Sequence, residues 1–322
     1  MKILSKINDF IKKDYESCVL SGTMIISPFY FVAPAPDIST AWVAGGDNGN
    51  VYANLSSMET YNGSAWVSGT ALDANQENGM SGGTKTACII AGGYLASPAP
   101  YPNTNKCQTY NGSSWSIVGS LTNSRNNLAN QGGGSTTNAL CHGGHANGTG
   151  NVNVSEKWNG SSWSAITFIS TWANYGAMYG GNGSSGVFVY DTSSFTWNGT
   201  ASSSSGAVGT SHIYATGDGN SSNAFVQGGS GTGATDTFNG TTWSAGGSTT
   251  GRVGSAGGGN STNGIILGGY NNSYTTIFNT TEQYYTNTWH SLPNLSTARG
   301  ICFGGSWYEY FKYYKLFKEW NW

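Results

Sequence analysis

Gln108-Thr109-Tyr110-Asn111-Gly112-Ser113-Ser114-Trp115-Ser116 decides the fold. An aromatic residue enters an Asn-Gly pair and a Trp leaves it. Asn-Gly is the strongest short-range hairpin signal, because a type I′ turn needs positive φ at both central positions. The unit recurs. Tyr61-Asn62-Gly63 leads to Trp66, Trp158-Asn159-Gly160 to Trp163, and Phe238-Asn239-Gly240 to Trp243. Two copies are degenerate: Trp197-Asn198-Gly199 reaches Ser202 where Trp is due, and Tyr284-Tyr285 reaches Trp289 through Thr286-Asn287.

Outward from this hairpin, each repeat follows one grammar. A small-residue strand comes first, as in Leu128 to Gly133, and a polar turn follows. An apolar strand then ends in a Gly pair, as in Ala139-Leu140-Cys141-His142-Gly143-Gly144. A variable loop leads to the strand that enters the Asn-Gly turn. The Gly pairs 45–46, 92–93, 143–144, 228–229 and 268–269 recur at about the 40–50-residue period of four-stranded propeller blades. The fourth repeat has Tyr190-Asp191 in that place. Small residues suit innermost strands that converge on an axis, and the aromatic hairpins fill the space between neighbouring blades.

The fold expected is therefore all-β: a β-propeller with seven four-stranded blades, six being the alternative. Leu292 to Arg299 matches the run-up Leu121 to Arg125, so Gly300-Ile301-Cys302-Phe303-Gly304-Gly305 reads as the first strand of a seventh, incomplete repeat. Pairing of the two chain ends closes the ring and removes exposed sheet edges, with residues 14–27 supplying outer strands. Three segments result. Residues 1–27 form a docking or closing segment: Met1 to Asp14 is basic and amphipathic, with apolar positions 3, 7, 10 and 11 on one helical face, and a strand-like run from Cys18 to Ile26 follows. Residues 28–306 are the propeller, and 307–322 an aromatic tail in which Trp307, Tyr310 and Tyr314 form an interface or help close the ring.

Composition narrows function. The 322 residues include 49 Gly, 13% aromatic residues and only 9% charged residues, for a net charge of −2. No electrostatic case for nucleic acid exists. No run approaches the ~20 apolar residues of a membrane helix, and the N-terminus lacks the apolar core of a secretory signal, so no membrane insertion is expected. The five cysteines (Cys18, Cys88, Cys107, Cys141 and Cys302) have no CxxC spacing and read as small buried hydrophobes. The Asn-x-Ser/Thr triplets read as turn chemistry, not glycan sites.

The Gly pair, the distal aromatic and Trp, and the Leu-to-Arg run-up resemble kelch repeats and the central domain of galactose oxidase. More narrowly, units such as Met58-Glu59-Thr60-Tyr61-Asn62-Gly63 and Ser155-Glu156-Lys157-Trp158-Asn159-Gly160 resemble kelch-like proteins of phages of aquatic bacteria. That resemblance covers roughly residues 28–306. It implies a non-enzymatic binding or structural module located on a virion, as a tail fibre, spike or decoration, with the cytoplasm as the alternative. Its partners are other virion proteins, further copies of itself, or host surface carbohydrate. The alternative function is a carbohydrate-active oxidase or glycosidase.

A radical-copper oxidase needs two Tyr and two His ligands. The sole close His pair is His142 and His145, and His142 occupies a strand position filled by Ala44, Ala91, Gln227 and Leu267 elsewhere. No metal or other cofactor is expected. The three arginines, Arg125, Arg252 and Arg299, follow repeat tryptophans by nine or ten residues, so they are copies of one structural position and not a sialidase triad. Seven residues before each repeat Trp stands Glu59, Gln108, Glu156, Asp236 or Glu282, with Phe195 in the fourth repeat. Distributed one per blade, these acids are expected to bind backbone N–H groups or pair with the arginines, not to form a glycosidase pair. No P-loop, nucleophile elbow or zinc spacing occurs. No catalytic residue is expected. Trp66, Trp115, Trp163, Trp243 and Trp289 read as structural. The best contact loop is Tyr94 to Tyr101, with Tyr94 and Tyr101 as ligand-binding aromatics.

Overall fold

The computed structural model describes residues 39–48, 55–95, 102–128, 133–146, 149–167 and 178–305. The chain divides into two units, and every described residue lies in Pro36–Trp322. Among these residues there is no helix and the strands form small antiparallel sheets, an arrangement consistent with a propeller-like fold. The expected helix within 1–27, the outer strands from 14–27 and the aromatic tail from 307 lie outside the described residues.

Six principal sheets follow the repeats. The first joins Phe303–Gly305, Trp42–Ala44, Met58–Tyr61 and Trp66–Ser68, in that order. Met80–Thr84, Ala87–Ala91, Cys107–Tyr110 and Trp115–Val118 form the second. The third contains Ala139–His142, Ser155–Trp158 and Trp163–Ile166, and the fourth Met178–Gly181, Gly186–Trp197 and Ser202–His212. Thr216–Asn220, Asn223–Gln227, Thr235–Phe238 and Trp243–Ala245 make the fifth. Ala256–Asn260, Asn263–Leu267, Thr281–Tyr285 and Thr288–Leu292 make the sixth.

The first sheet joins the two ends of the described residues. Trp42 lies opposite Gly305, Val43 opposite Gly304 and Ala44 opposite Phe303, while the other edge of Trp42–Ala44 pairs with Met58–Tyr61. A strand has only two edges. The stretch read as opening a seventh repeat therefore lies at the edge of the first sheet.

The core is divided among the spaces between sheets. Side chains alternate across a strand, so a strand buried on both faces serves two neighbours. In the second sheet Cys88 and Ile90 pack with Trp42, Met58 and Leu72, whereas Ile89 and Ala91 pack with Ala139, Cys141 and Trp158 of the third. Leu140 meets Phe188 and Trp197 of the fourth sheet, and Val187 and Val189 meet Ala224 and Val226 of the fifth. Phe225 reaches Trp289 of the sixth with ring centroids 6.0 Å apart. Ile265 and Leu267 return to Val43 of the first. Glycine permits the tightest approach: a Cβ on Gly82 would stand 2.5 Å from the Gly134 nitrogen.

The hairpins differ from the sequence expectation in one respect. Tyr110 pairs with Trp115, so the loop has four residues, and of these only Gly112 has positive φ (96°). Asn111 instead caps the turn. Its Oδ1 accepts hydrogen bonds from Ser113 N (3.0 Å), Ser114 N (3.0 Å) and Ser113 Oγ (2.9 Å). The same three donors converge on Asn62, Asn159, Asn198 and Asn239. The Asn-Gly-Ser/Thr triplet is thus an Asx turn whose hydroxyl adds a third bond. Two consecutive positive φ values appear instead in the degenerate copy, at Thr286 (50°) and Asn287 (62°), between the paired Tyr285 and Thr288.

Candidate functional site

The arginine and acid columns meet across sheet boundaries. Arg125 Nη2 lies 2.5 Å from Glu156 Oε1, Arg252 Nη2 2.7 Å from Glu282 Oε2, and Arg299 Nη2 2.8 Å from Glu59 Oε1. Each guanidinium also donates through Nη1 to the carbonyl of the first glycine in a Gly pair: Gly143 (2.8 Å), Gly268 (3.0 Å) and Gly45 (3.2 Å). The remaining carboxylate oxygen fixes the run-up loop, as Glu156 accepts from Thr122 N and Glu59 from Ser296 N, both at 2.9 Å. All three arginines are buried. Each is closed by its own carboxylate and cannot reach a shared ligand.

Two further members of the column escaped the sequence reading. Gln76 Nε2 donates to Gly92 O (2.8 Å), the first glycine of its pair, and is hydrogen-bonded to Gln108, the neutral member of the acid column. His212 Nδ1 lies 2.6 Å from Gly228 O and its Nε2 3.0 Å from Asp236 Oδ2. Its two ring nitrogens span the same two partners, a Gly-pair carbonyl and a column carboxylate, that the guanidinium spans elsewhere. Partners match in kind along the chain: Gln with Gln, Arg with Glu, and the shorter His with the shorter Asp. The available signal was a buried apolar residue four positions upstream. Leu72 precedes Gln76 and Val208 precedes His212, as Leu121 precedes Arg125 and Leu295 precedes Arg299.

Two residues beyond each of these positions the chain enters the left-handed region. Asn78 (φ 61°), Asn127 (48°), Tyr214 (60°), Gly254 (60°) and Ile301 (49°) are equivalent in sequence. Their backbones form a chain of hydrogen bonds. Asn127 N donates to Asn78 O (2.8 Å), Asn78 N to Ile301 O (3.1 Å), Ile301 N to Gly254 O (2.6 Å) and Gly254 N to Tyr214 O (3.1 Å). This collar rims a cavity of about 200 Å³. The residue after each of three collar members, Leu128, Ala215 and Ser255, also lines it, as does the exposed Tyr274. Immediately after Ala215, the buried Thr216 Oγ1 has no hydrogen-bond partner, and neither does the side chain of Gln227 paired opposite it. Such atoms ordinarily hold water.

Two acids, the buried Asp218 and the half-buried Glu77, stand apart from the column. Asp218 accepts from Gly181 N (3.2 Å), Gly219 N (2.7 Å) and Gly259 N (3.0 Å), which belong to the fourth, fifth and sixth sheets. Burial outweighs these three donors and pushes its carboxyl up to about 7. Glu77 is also raised to about 7, by burial first and the charge of Asp47 second. Tyr270 donates its hydroxyl proton to Asp47.

The remaining predicted positions divide as follows. The five tryptophans pack against the aromatic residue across the Asn turn, with centroids 5.0–5.5 Å apart. Several also bridge sheets: Trp243 Nε1 donates to Ser194 Oγ and Trp289 Nε1 to Thr235 Oγ1, both at 2.8 Å. His142 Nδ1 lies 2.6 Å from Ser155 Oγ inside the core, while His145 sits half-buried in a small sheet opposite Asn126. Among the described residues, no three His, Cys, Asp or Glu side chains gather as metal ligands would. Cys88, Cys107, Cys141 and Cys302 are free and buried. Tyr94 is half-buried in a short strand, with Glu77 opposite. Tyr101, Trp307, Tyr310, Tyr314 and Cys18 lie outside the described residues. No protein-family model matches the chain, and no curated protein matches it significantly.

Proposed function

We propose that the chain is a kelch-like β-propeller of six blades, used as a non-enzymatic binding and structural module. Six is preferred over seven because Phe303–Gly305 takes the inner edge of Trp42–Ala44, leaving no slot for another strand there. The cycle of inter-sheet packing, from the first sheet through the sixth and back to the first, supports closure by the chain ends. Truncation after Cys302 removes the closing strand and should abolish cooperative unfolding, whereas truncation after Ser306 should retain it. Equal stability of the two truncated chains refutes closure by this strand.

The observation that carries the non-enzymatic reading is the arginine–acid column. The side chains that most resemble catalytic machinery in sequence are buried pairs that bridge sheets. Fold alone gives no activity. The repeat style supports a place on a phage virion, as fibre, spike or decoration, in contact with neighbouring virion proteins or host glycan. A glycan array followed by product analysis on every bound glycan tests the reading. Retention without conversion is expected, and hydrolysis or oxidation of a retained glycan overturns it.

A further inference from the structure

We infer that the cavity inside the left-handed collar is a binding site for a single uncharged sugar ring. The first ground is backbone strain. Glycine or asparagine is the economical residue at positive φ, and Gly254, Asn78 and Asn127 follow that rule. Tyr214 and Ile301 break it. A β-branched side chain at φ 49° is an outlier, and strain of this kind gathers at ligand sites. Equivalent backbone positions thus place unlike side chains, two of them against local preference, around one cavity.

The second ground is Asn78. It lines the cavity and is itself 9% exposed. A carboxamide at the cavity wall offers both donors and an acceptor, which a ligand that donates and accepts can meet.

Size and chemistry identify the ligand class. A cavity of about 200 Å³ that opens to solvent has room for a ligand the size of one sugar ring. The described lining carries no charged side chain, which disfavours phosphates and acidic sugars. Amides with the Tyr214 and Tyr274 rings offer neutral hydrogen bonds beside apolar faces, the two features a pyranose presents. The proposal deepens the binding-module reading and rests on it for the claim that the sugar is held and not converted.

The test uses the full chain and free glucose, galactose, mannose and N-acetylglucosamine, with N-acetylneuraminic acid as the charged counterpart. Saturation-transfer difference NMR should show at least one neutral sugar binding with Kd of ~1–10 mM, and no binding of the acid. Tyr214→Asn and Asn78→Gly keep residues suited to positive φ while removing the ring or the carboxamide. Each should weaken binding at least ~10-fold, with Tm unchanged or raised. Absence of saturable binding by any neutral sugar to about 100 mM overturns the proposal, as does undiminished binding in both variants. Conversion of the sugar in the same spectra, lost in both variants, upholds the cavity and overturns the non-enzymatic reading instead.

Discussion

Arg125→Gln combined with Glu156→Gln rebuilds, at one sheet boundary, the pair the chain already uses at another. Arg125 makes four contacts: Gly143 O (2.8 Å), Val154 O (2.9 Å), Cys141 Sγ (3.3 Å) and Glu156 Oε1 (2.5 Å). Gln76 reaches the equivalent carbonyls, Gly92 O at 2.8 Å and Lys106 O at 3.3 Å, and Gln108 Oε1 accepts from Asp73 N (2.9 Å) where Glu156 accepts from Thr122 N. Both side chains of the Arg125–Glu156 pair are fully buried. Removing either charge alone leaves the other uncompensated in the interior, which costs about 3–5 kcal/mol. The double variant leaves no net buried charge and retains carbonyl and amide partners. Its expected loss is roughly 1 kcal/mol, the typical cost of one ordinary hydrogen bond. A double-mutant cycle by urea denaturation should therefore give a coupling of about 5 kcal/mol or more, far above the ~0.5 kcal/mol limit for independent sites. Additive losses, or a Glu156→Gln single variant as stable as the parent, would show that the pair is not the bridge its geometry describes.

Further expectations concern acids, turns and thiols. Asp218 has a folded value near 7, against ~3.9 for an unfolded Asp. Stability linked to it is full below pH ~3.9, is lost as pH rises to about 7, and is level above, by up to ~4 kcal/mol at ~1.4 kcal/mol per unit. Glu77 adds a loss of the same sign over a similar range. Asp218→Asn should flatten that part of a Tm-against-pH curve, and an unchanged slope refutes the assignment. Thr286→Asn, at φ 50°, should raise stability by about 1 kcal/mol because Asn tolerates the left-handed region better than a β-branched residue, while Asn287 keeps its bond from the Tyr284 hydroxyl. A fall in the denaturation midpoint would show that the hydroxyl contact of Thr286 matters more. Burial pushes the thiols of Cys141 and Cys302 up to about 11, and that of Cys107 up to about 12. These three should resist a disulfide reagent in the native protein at pH 8 and react on unfolding. Fast native labelling of any of them, located by peptide mapping, contradicts the packing.

The sequence alone determined that the chain is all-β, where its repeats fall, and that the aromatic–turn–Trp unit and the arginine and acid columns are architectural. These are properties of local period and repetition: alternation assigns faces, and a residue type that returns at one offset in every repeat belongs to the scaffold. Even there local chemistry misled in one detail. Asn-Gly signals a turn, but whether its Asn takes positive φ or accepts three hydrogen bonds depends on loop length, which pairing of Tyr110 with Trp115 fixes at four.

Tertiary structure decided what crosses sheet boundaries. Glu59 and Arg299 stand 240 positions apart, and Gln76 and His212 joined the column only through the carbonyls they reach. Their side chains differ from Arg, so composition hid a shared role that geometry exposes. The collar was equally hidden: positive φ at Tyr214 and Ile301 runs against their intrinsic preference and is imposed by backbone hydrogen bonds from neighbouring repeats. Pairing of Phe303–Gly305 with Trp42–Ala44 likewise placed the stretch read as an extra repeat at the edge of the first sheet. A sequence records which residues repeat; which edges and cavities they share depends on contacts between segments hundreds of residues apart, where no local pattern can register them.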